Sequence, residues 1–122
     1  MKPSNQEIPQ DQWQSYFDQL SEAYEGWLAT VEVLGSELGD VPLAKDLPFI
    51  GLSFEREGSE AGDILIELGN DQGILETHHA DHPQHVRVAQ TQPGQEEDIQ
   101  IECSDGTTTL VRLHPSPELP SA

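Results

Sequence analysis

The chain has 122 residues, 23 of them Asp or Glu and only five Lys or Arg, for a formal charge of −18 at pH 7. That balance excludes direct binding to nucleic acid or to an anionic membrane, because both need Lys and Arg to displace counterions. Basic proteins, cations and concentrated salt remain compatible surroundings.

Residues Met1 to Glu7 are polar and are expected to be flexible. Trp13, Tyr16, Phe17, Leu20 and Tyr24 then recur at spacings that place them on one stripe of a 3.6-residue period. Pro9 suits the first turn, Asp11 sits where the helix dipole favours negative charge, and Gly26 is placed to end the helix in a left-handed conformation. The pattern predicts a helix from Pro9 to Glu25 with an aromatic face that packs on something else.

That partner is expected to be a sheet. Trp27 to Leu34 reads as a strand, with Trp27, Ala29, Val31 and Val33 on one face. Gly35 to Pro48, with two Gly, two Pro and three acids, reads as a long connection. Phe49 to Arg56 alternates, with Ile50, Leu52 and Phe54 on one face, and Asp63 to Leu68 turns Ile64, Ile66 and Leu68 inward. Ile74 to His79 is a further strand, interrupted at His82-Pro83 because proline cannot donate to a ladder. His85 to Ala89 resumes, and Ile99, Ile101 and Cys103 line one face of the next strand. Ser104-Asp105-Gly106 makes a tight hairpin back into Thr107 to Leu113.

Such short turns imply antiparallel neighbours. The expected fold is α+β: an N-terminal helix on an antiparallel sheet of about six short strands, either curled or a small open barrel. One domain spans 8–113, between a flexible N-terminus (1–7) and a Pro-rich flexible tail (114–122). The length suits one core, and 34 % apolar residues in periodic runs argue against disorder. A single cysteine, Cys103, excludes an intramolecular disulfide and suits a reducing compartment. The N-terminus lacks the apolar core of a signal peptide, and no apolar run approaches the ~20 residues that span a bilayer. A cytoplasmic protein is expected.

Two stretches carry a family resemblance. Glu7-Ile8-Pro9, Trp13, Phe17 and the run from Glu25-Gly26-Trp27-Leu28-Ala29-Thr30-Val31 to Gly35 resemble a family of small bacterial proteins of unknown function. Leu47-Pro48-Phe49-Ile50-Gly51-Leu52 and the closing Asp105-Gly106-Thr107 to Arg112 are similar to it as well. The resemblance covers about Ile8 to Leu113 and implies no activity or catalytic residue. The order of helix then strands also resembles Sm-like barrels, which bind RNA as rings. That likeness is of topology alone, without an RNA-binding motif and against an unfavourable charge.

Four of the five histidines, His78, His79, His82 and His85, fall within eight residues. Imidazole is the commonest metal ligand, and Glu76 and Asp81 stand nearby to add oxygen. In a strand, His78 and His79 point to opposite faces, and Pro83 interrupts any helix that would line up the others. A loop gathering His79, His82 and His85 is the candidate metal site, set against a polar edge strand with a surface loop. Glu96-Glu97-Asp98 reads as a solvated charge run, and Cys103 as a small buried hydrophobe beside acids rather than an activated thiol. Ser53 lacks the second glycine of a nucleophile elbow, and no phosphate, calcium or dinucleotide motif is present. The aromatic stripe reads as core, and Arg56, Arg87 and Arg112 as partners of acids across the sheet.

Three explanations of the acidity compete: a surface adapted to high salt, carboxylates imitating a nucleic-acid backbone, or docking on a basic partner. The expectation is a non-enzymatic protein without a cofactor that binds a protein with a basic surface. The alternative is a metal- or small-ligand-binding protein using His79, His82 and His85. An apolar sheet face left uncovered by the helix would point to a homo-oligomer.

Overall fold

The structure is a computed structural model and describes residues 4–37, 39–55, 62–70, 72–92 and 96–115. In chain order it runs β1 (Ser4–Ile8), a 3-10 turn (Gln10–Gln12), α1 (Trp13–Tyr24), β2 (Leu28–Ser36), β3 (Gly39–Phe54), β4 (Ile64–Asn70), β5 (Gly73–Ala80), β6 (Pro83–Gln92), β7 (Glu96–Cys103) and β8 (Thr108–His114). One short helix therefore packs on one open antiparallel sheet, whose strand order is β1-β6-β7-β8-β2-β3-β4-β5.

The helix forms as its stripe predicts. Trp13, Phe17 and Leu20 are buried on one side, and Gly26 takes a φ of 87° just past its end. Phe17 is 0 % exposed, and Trp13 meets Phe54 edge-to-face at 5.3 Å. The helix lies against β3, where Ser21 is fastened to the strand. Its hydroxyl accepts the Leu52 N–H at 2.9 Å and donates to the Leu52 carbonyl at 3.2 Å. Gly51 permits this approach, since a Cβ there would lie 2.8 Å from the Ser21 oxygen.

The sheet cannot be flat. β5 is at one edge and β6 is next to the other, six strand spacings of about 4.8 Å away, or roughly 29 Å in a plane. Yet β5 ends at Ala80 and β6 begins at Pro83, and a two-residue link reaches only about 11 Å. The sheet must curl, and the 16-residue β3, which pairs first with β2 and then with β4, is the strand that carries it round. Ile64, Ile66 and Leu68 of β4, Val86 of β6, Ile99 and Ile101 of β7 and Val111 and Leu113 of β8 are fully buried inside the curl.

Three expectations need correction. The sheet has eight strands rather than about six, and one of the additional ones is β1, drawn from the segment expected to be flexible. It pairs with β6 from Ser4↔Gln90 to Ile8↔Val86 and is anchored by Ile8, whose carbonyl accepts the Trp13 indole N–H at 2.9 Å. Five residues with one buried apolar side chain carry too little periodicity to be read as a strand. The connection expected from Gly35 to Pro48 is strand from Gly39 onward. Its prolines are tolerated because, among the described strands, this half of β3 pairs with β2 alone, and no second ladder there is broken. Lastly, Phe49, at 1 % exposure, takes the core position expected of Ile50. The ladder slips between Phe49 and Gly51, and a one-residue slip exchanges the two faces. Of the expected tail, His114 belongs to β8 and 116–122 lie outside the described residues.

Candidate metal centre

In the β4–β5 ladder Ile64 faces Ala80 and Leu65 faces His79. Ile64, Ile66 and Ala80 point into the core. Period-two alternation then puts Asp63, Leu65, His79 and Asp81 on the opposite, solvent-facing side. The ligand atoms of Asp63, His79 and Asp81 all lie within 4.8 Å of one another. Asp63 is half-buried and the other two are exposed. The turn that follows keeps the cluster in place. His82 adopts a φ of 53°, gives its backbone N–H to an Asp63 carboxylate oxygen at 3.4 Å, and accepts the Ser104 N–H at 3.0 Å.

Of the three histidines singled out in the sequence, the structure brings His79 alone to this cluster. His85 lies on β6, where its Nδ1 is 2.8 Å from a Glu7 carboxylate oxygen of β1. His82 lies beside Asp105 of the β7–β8 hairpin, whose carboxyl is held low mainly by the Thr107 hydroxyl and N–H and, more weakly, by the His82 ring. His78 points to the core side of the sheet edge and pairs with Glu76 at 3.0 Å. What the sequence did not offer is Asp63. It stands 16 residues before His79 and becomes its neighbour only through strand register. One oxygen-rich side with one imidazole is a donor set suited to a divalent transition metal rather than to calcium or magnesium, which prefer oxygen alone.

The same end of the sheet holds Cys103. Burial first, and then the carboxylates of Asp105 and Asp81, push its thiol up to about 11. It therefore stays protonated near neutral pH and is a poor nucleophile.

A second polar feature is Glu97, expected in a solvated charge run but only 5 % exposed. It shares the inward face of β7 with Ile99 and Ile101, and the Tyr16 hydroxyl of α1 closes over it, donating to Oε1 at 3.1 Å. Oε2 is buried with no partner among the described residues. Burial, and then the Glu97 charge, push the Tyr16 phenol well above its ordinary value, so it remains a donor.

The profile of a family of unknown function, DUF5335, matches residues 4–122. The chain belongs to this family. A relative of the chain is an uncharacterised protein of Aquifex aeolicus (strain VF5), 28 % identical over 113 residues that cover 93 % of this chain and 95 % of that protein. No solved structure matches. Membership bears out the resemblance seen in the sequence, and like that resemblance it brings no activity with it.

Elsewhere on this DUF5335 chain the charged side chains pair as the strand pattern predicts. Arg112 donates to Asp98, directly opposite on β7, at 3.1 Å. Arg87 lies between Glu102 and Glu7, the latter at 3.6 Å. Arg56 lies outside the described residues. An open groove of about 430 Å³ beside the start of the helix is lined by Gln10, Asp11, Gln14 and Phe54. Among the described residues, no helix is long and apolar enough to cross a membrane.

Proposed function

We propose that the protein is a non-enzymatic binding protein that docks a partner with a basic surface. One observation carries this: acids stand on α1 where they cost helix stability. Asp18 and Glu22 of α1 are exposed and four residues apart on one helix face, the exposed Glu25 follows as the C-cap, and the last turn holds no basic residue. The helix dipole disfavours negative charge at that end by about 0.3–1 kcal/mol per group, and like charges four apart add a few tenths. Side chains that work against the element carrying them are expected where a surface serves recognition. The protonated Cys103 thiol agrees with a role other than covalent catalysis.

The test is capture on the immobilised protein from a lysate of its own cell, eluted by a salt gradient, with a Glu22→Lys/Glu25→Lys variant run in parallel. A basic protein released at moderate salt and lost by the variant supports docking. Retention that ignores salt, or no retained protein, contradicts it.

The Asp63–His79–Asp81 cluster favours a second reading, a divalent-cation-binding protein. Zn²⁺ or Mn²⁺ should then raise the melting temperature in proportion to the logarithm of its concentration, an effect removed by His79→Ala and retained by His85→Ala. A melting temperature indifferent to both ions removes this reading.

A further inference from the structure

Among the described residues, β1, both halves of β3 and β5 each have one ladder side without a neighbouring strand, and all of these but β5 are guarded. β1 is only five residues long, and its Glu7 is tied to His85 and Arg87. The first half of β3 carries Pro42, Pro48, the exposed Lys45 and the left-handed Asp46 (φ 53°). In its second half, the Leu52 N–H and carbonyl are both taken by Ser21 of the helix. Short length, proline, lysine, irregular backbone and a covering element are the means by which proteins prevent a sheet edge from recruiting another strand.

Among the described residues, β5 has no proline, lysine, irregular backbone or covering element along Glu76–Ala80. Among the described strands it pairs with β4 alone, in regular register from Glu76↔Leu68 to Ala80↔Ile64. It contains no Pro, Lys or Arg. Beside this run stand Ile74, 53 % exposed, and Leu75, 64 % exposed, the exposed large hydrophobic residues among those described. The ladder slips between Leu68 and Gly69, so Leu75 is the extra residue there, and both aliphatic chains meet water.

We propose that the free edge of β5 is a docking site for an extended, basic and partly apolar segment of a partner protein, which adds to the sheet as a ninth, terminal strand. This rests on the basic-partner reading and names where that partner's main chain is held. The backbone ladder supplies affinity, Ile74 and Leu75 supply an apolar anchor, and charge selects the occupant. Between residues 57 and 86 the sequence has seven acids and no Lys or Arg. Glu67, Glu76, Asp63 and Asp81 lie on or beside the β4–β5 ladder. A second copy would bring the same acids to the same edge and set −18 against −18. A strand alternating Lys with Val neutralises them.

The probe is a peptide of about ten residues alternating Lys and Val, compared with an equally charged Lys–Gly peptide that has little strand propensity. Amide exchange is followed residue by residue by NMR on the full chain. The proposal expects the Lys–Val peptide to bind at least about tenfold more tightly than the Lys–Gly peptide. Alternate amides of Gly73–Ala80 should slow, with no change in β1 or residues 39–48. Ile74→Ser/Leu75→Ser, at exposed positions that leave the core intact, should weaken Lys–Val binding about tenfold while the melting temperature holds. Lys–Val binding without protection of β5 overturns the edge site and leaves the basic-partner reading standing. Failure of both peptides to bind at low salt overturns both. A protein that sediments alone as a dimer with slow β5 amides makes a second copy the occupant and overturns the partner named here.

Discussion

Tyr16→Phe removes a single oxygen, and the structure sets what that should cost. The Tyr16 hydroxyl is the hydrogen-bond partner that Glu97 has among the described residues, at 3.1 Å, and the other carboxylate oxygen has none. A hydrogen bond to a charged group contributes about 1.5–3 kcal/mol, and stranding a buried carboxylate forfeits all of it. At this chain length each kcal/mol moves the melting temperature by about 4 °C, so Tyr16→Phe should melt roughly 6–12 °C lower. Replacing both partners by apolar groups of similar shape is nearly neutral or stabilising. Tyr16→Phe/Glu97→Leu should therefore return to within about 1 kcal/mol of the parent, or exceed it. Urea unfolding followed by tryptophan fluorescence measures both, with an unchanged slope certifying a common unfolded state. A neutral Tyr16→Phe, or a double variant as unstable as the single one, would refute the account of Glu97 as a costly buried carboxylate.

Three further outcomes are expected. Phe17→Ala, at a position 0 % exposed between helix and sheet, should lower stability by about 3–5 kcal/mol in the same urea assay. Gly51→Ala places a Cβ 2.8 Å from the Ser21 oxygen, and should cost about 1–3 kcal/mol; a Ser21→Gly background should lessen that penalty, visible as coupling in a double-mutant cycle. The Cys103 thiol, raised from an ordinary 9.0 to about 11, should resist alkylation at pH 8 in the native state and react in urea. Because the unfolded thiol ionises first, its contribution to stability is whole below pH 9 and is lost as pH rises towards about 11, more weakly than a fully buried group would give. Denaturation curves across that range check the sign.

Much of the fold was legible in the sequence because its patterns are strong and local. The aromatic stripe gave the helix, and Gly26 its end. Alternation gave the inward faces of β4 and β7 without error at Ile64, Ile66, Leu68, Ile99 and Ile101. What was not legible depends on pairing. β1 is a strand because β6 and Trp13 make a place for it. Pro42 and Pro48 are harmless in a strand because, among the described strands, residues 41–48 pair with β2 alone. Phe49 displaces Ile50 through a slip in register that no alternation rule foresees. The same holds for the site. A cluster of histidines is visible in one dimension, but Asp63 reaches His79 only by cross-strand register. Glu97 sits in a run of acids and yet is buried, because period two carries the face of Ile99 and Ile101 one step further toward the helix.

The central claim is that this acidic chain works by holding a basic partner. The most direct test is the dissociation constant of the captured partner, measured at about 50 mM and about 300 mM salt, where screening length falls by more than half. The account predicts affinity at least about tenfold weaker at the higher salt, and weaker again for Glu22→Lys/Glu25→Lys at the lower. Affinity unchanged across that range, with the variant binding as the parent does, would contradict it.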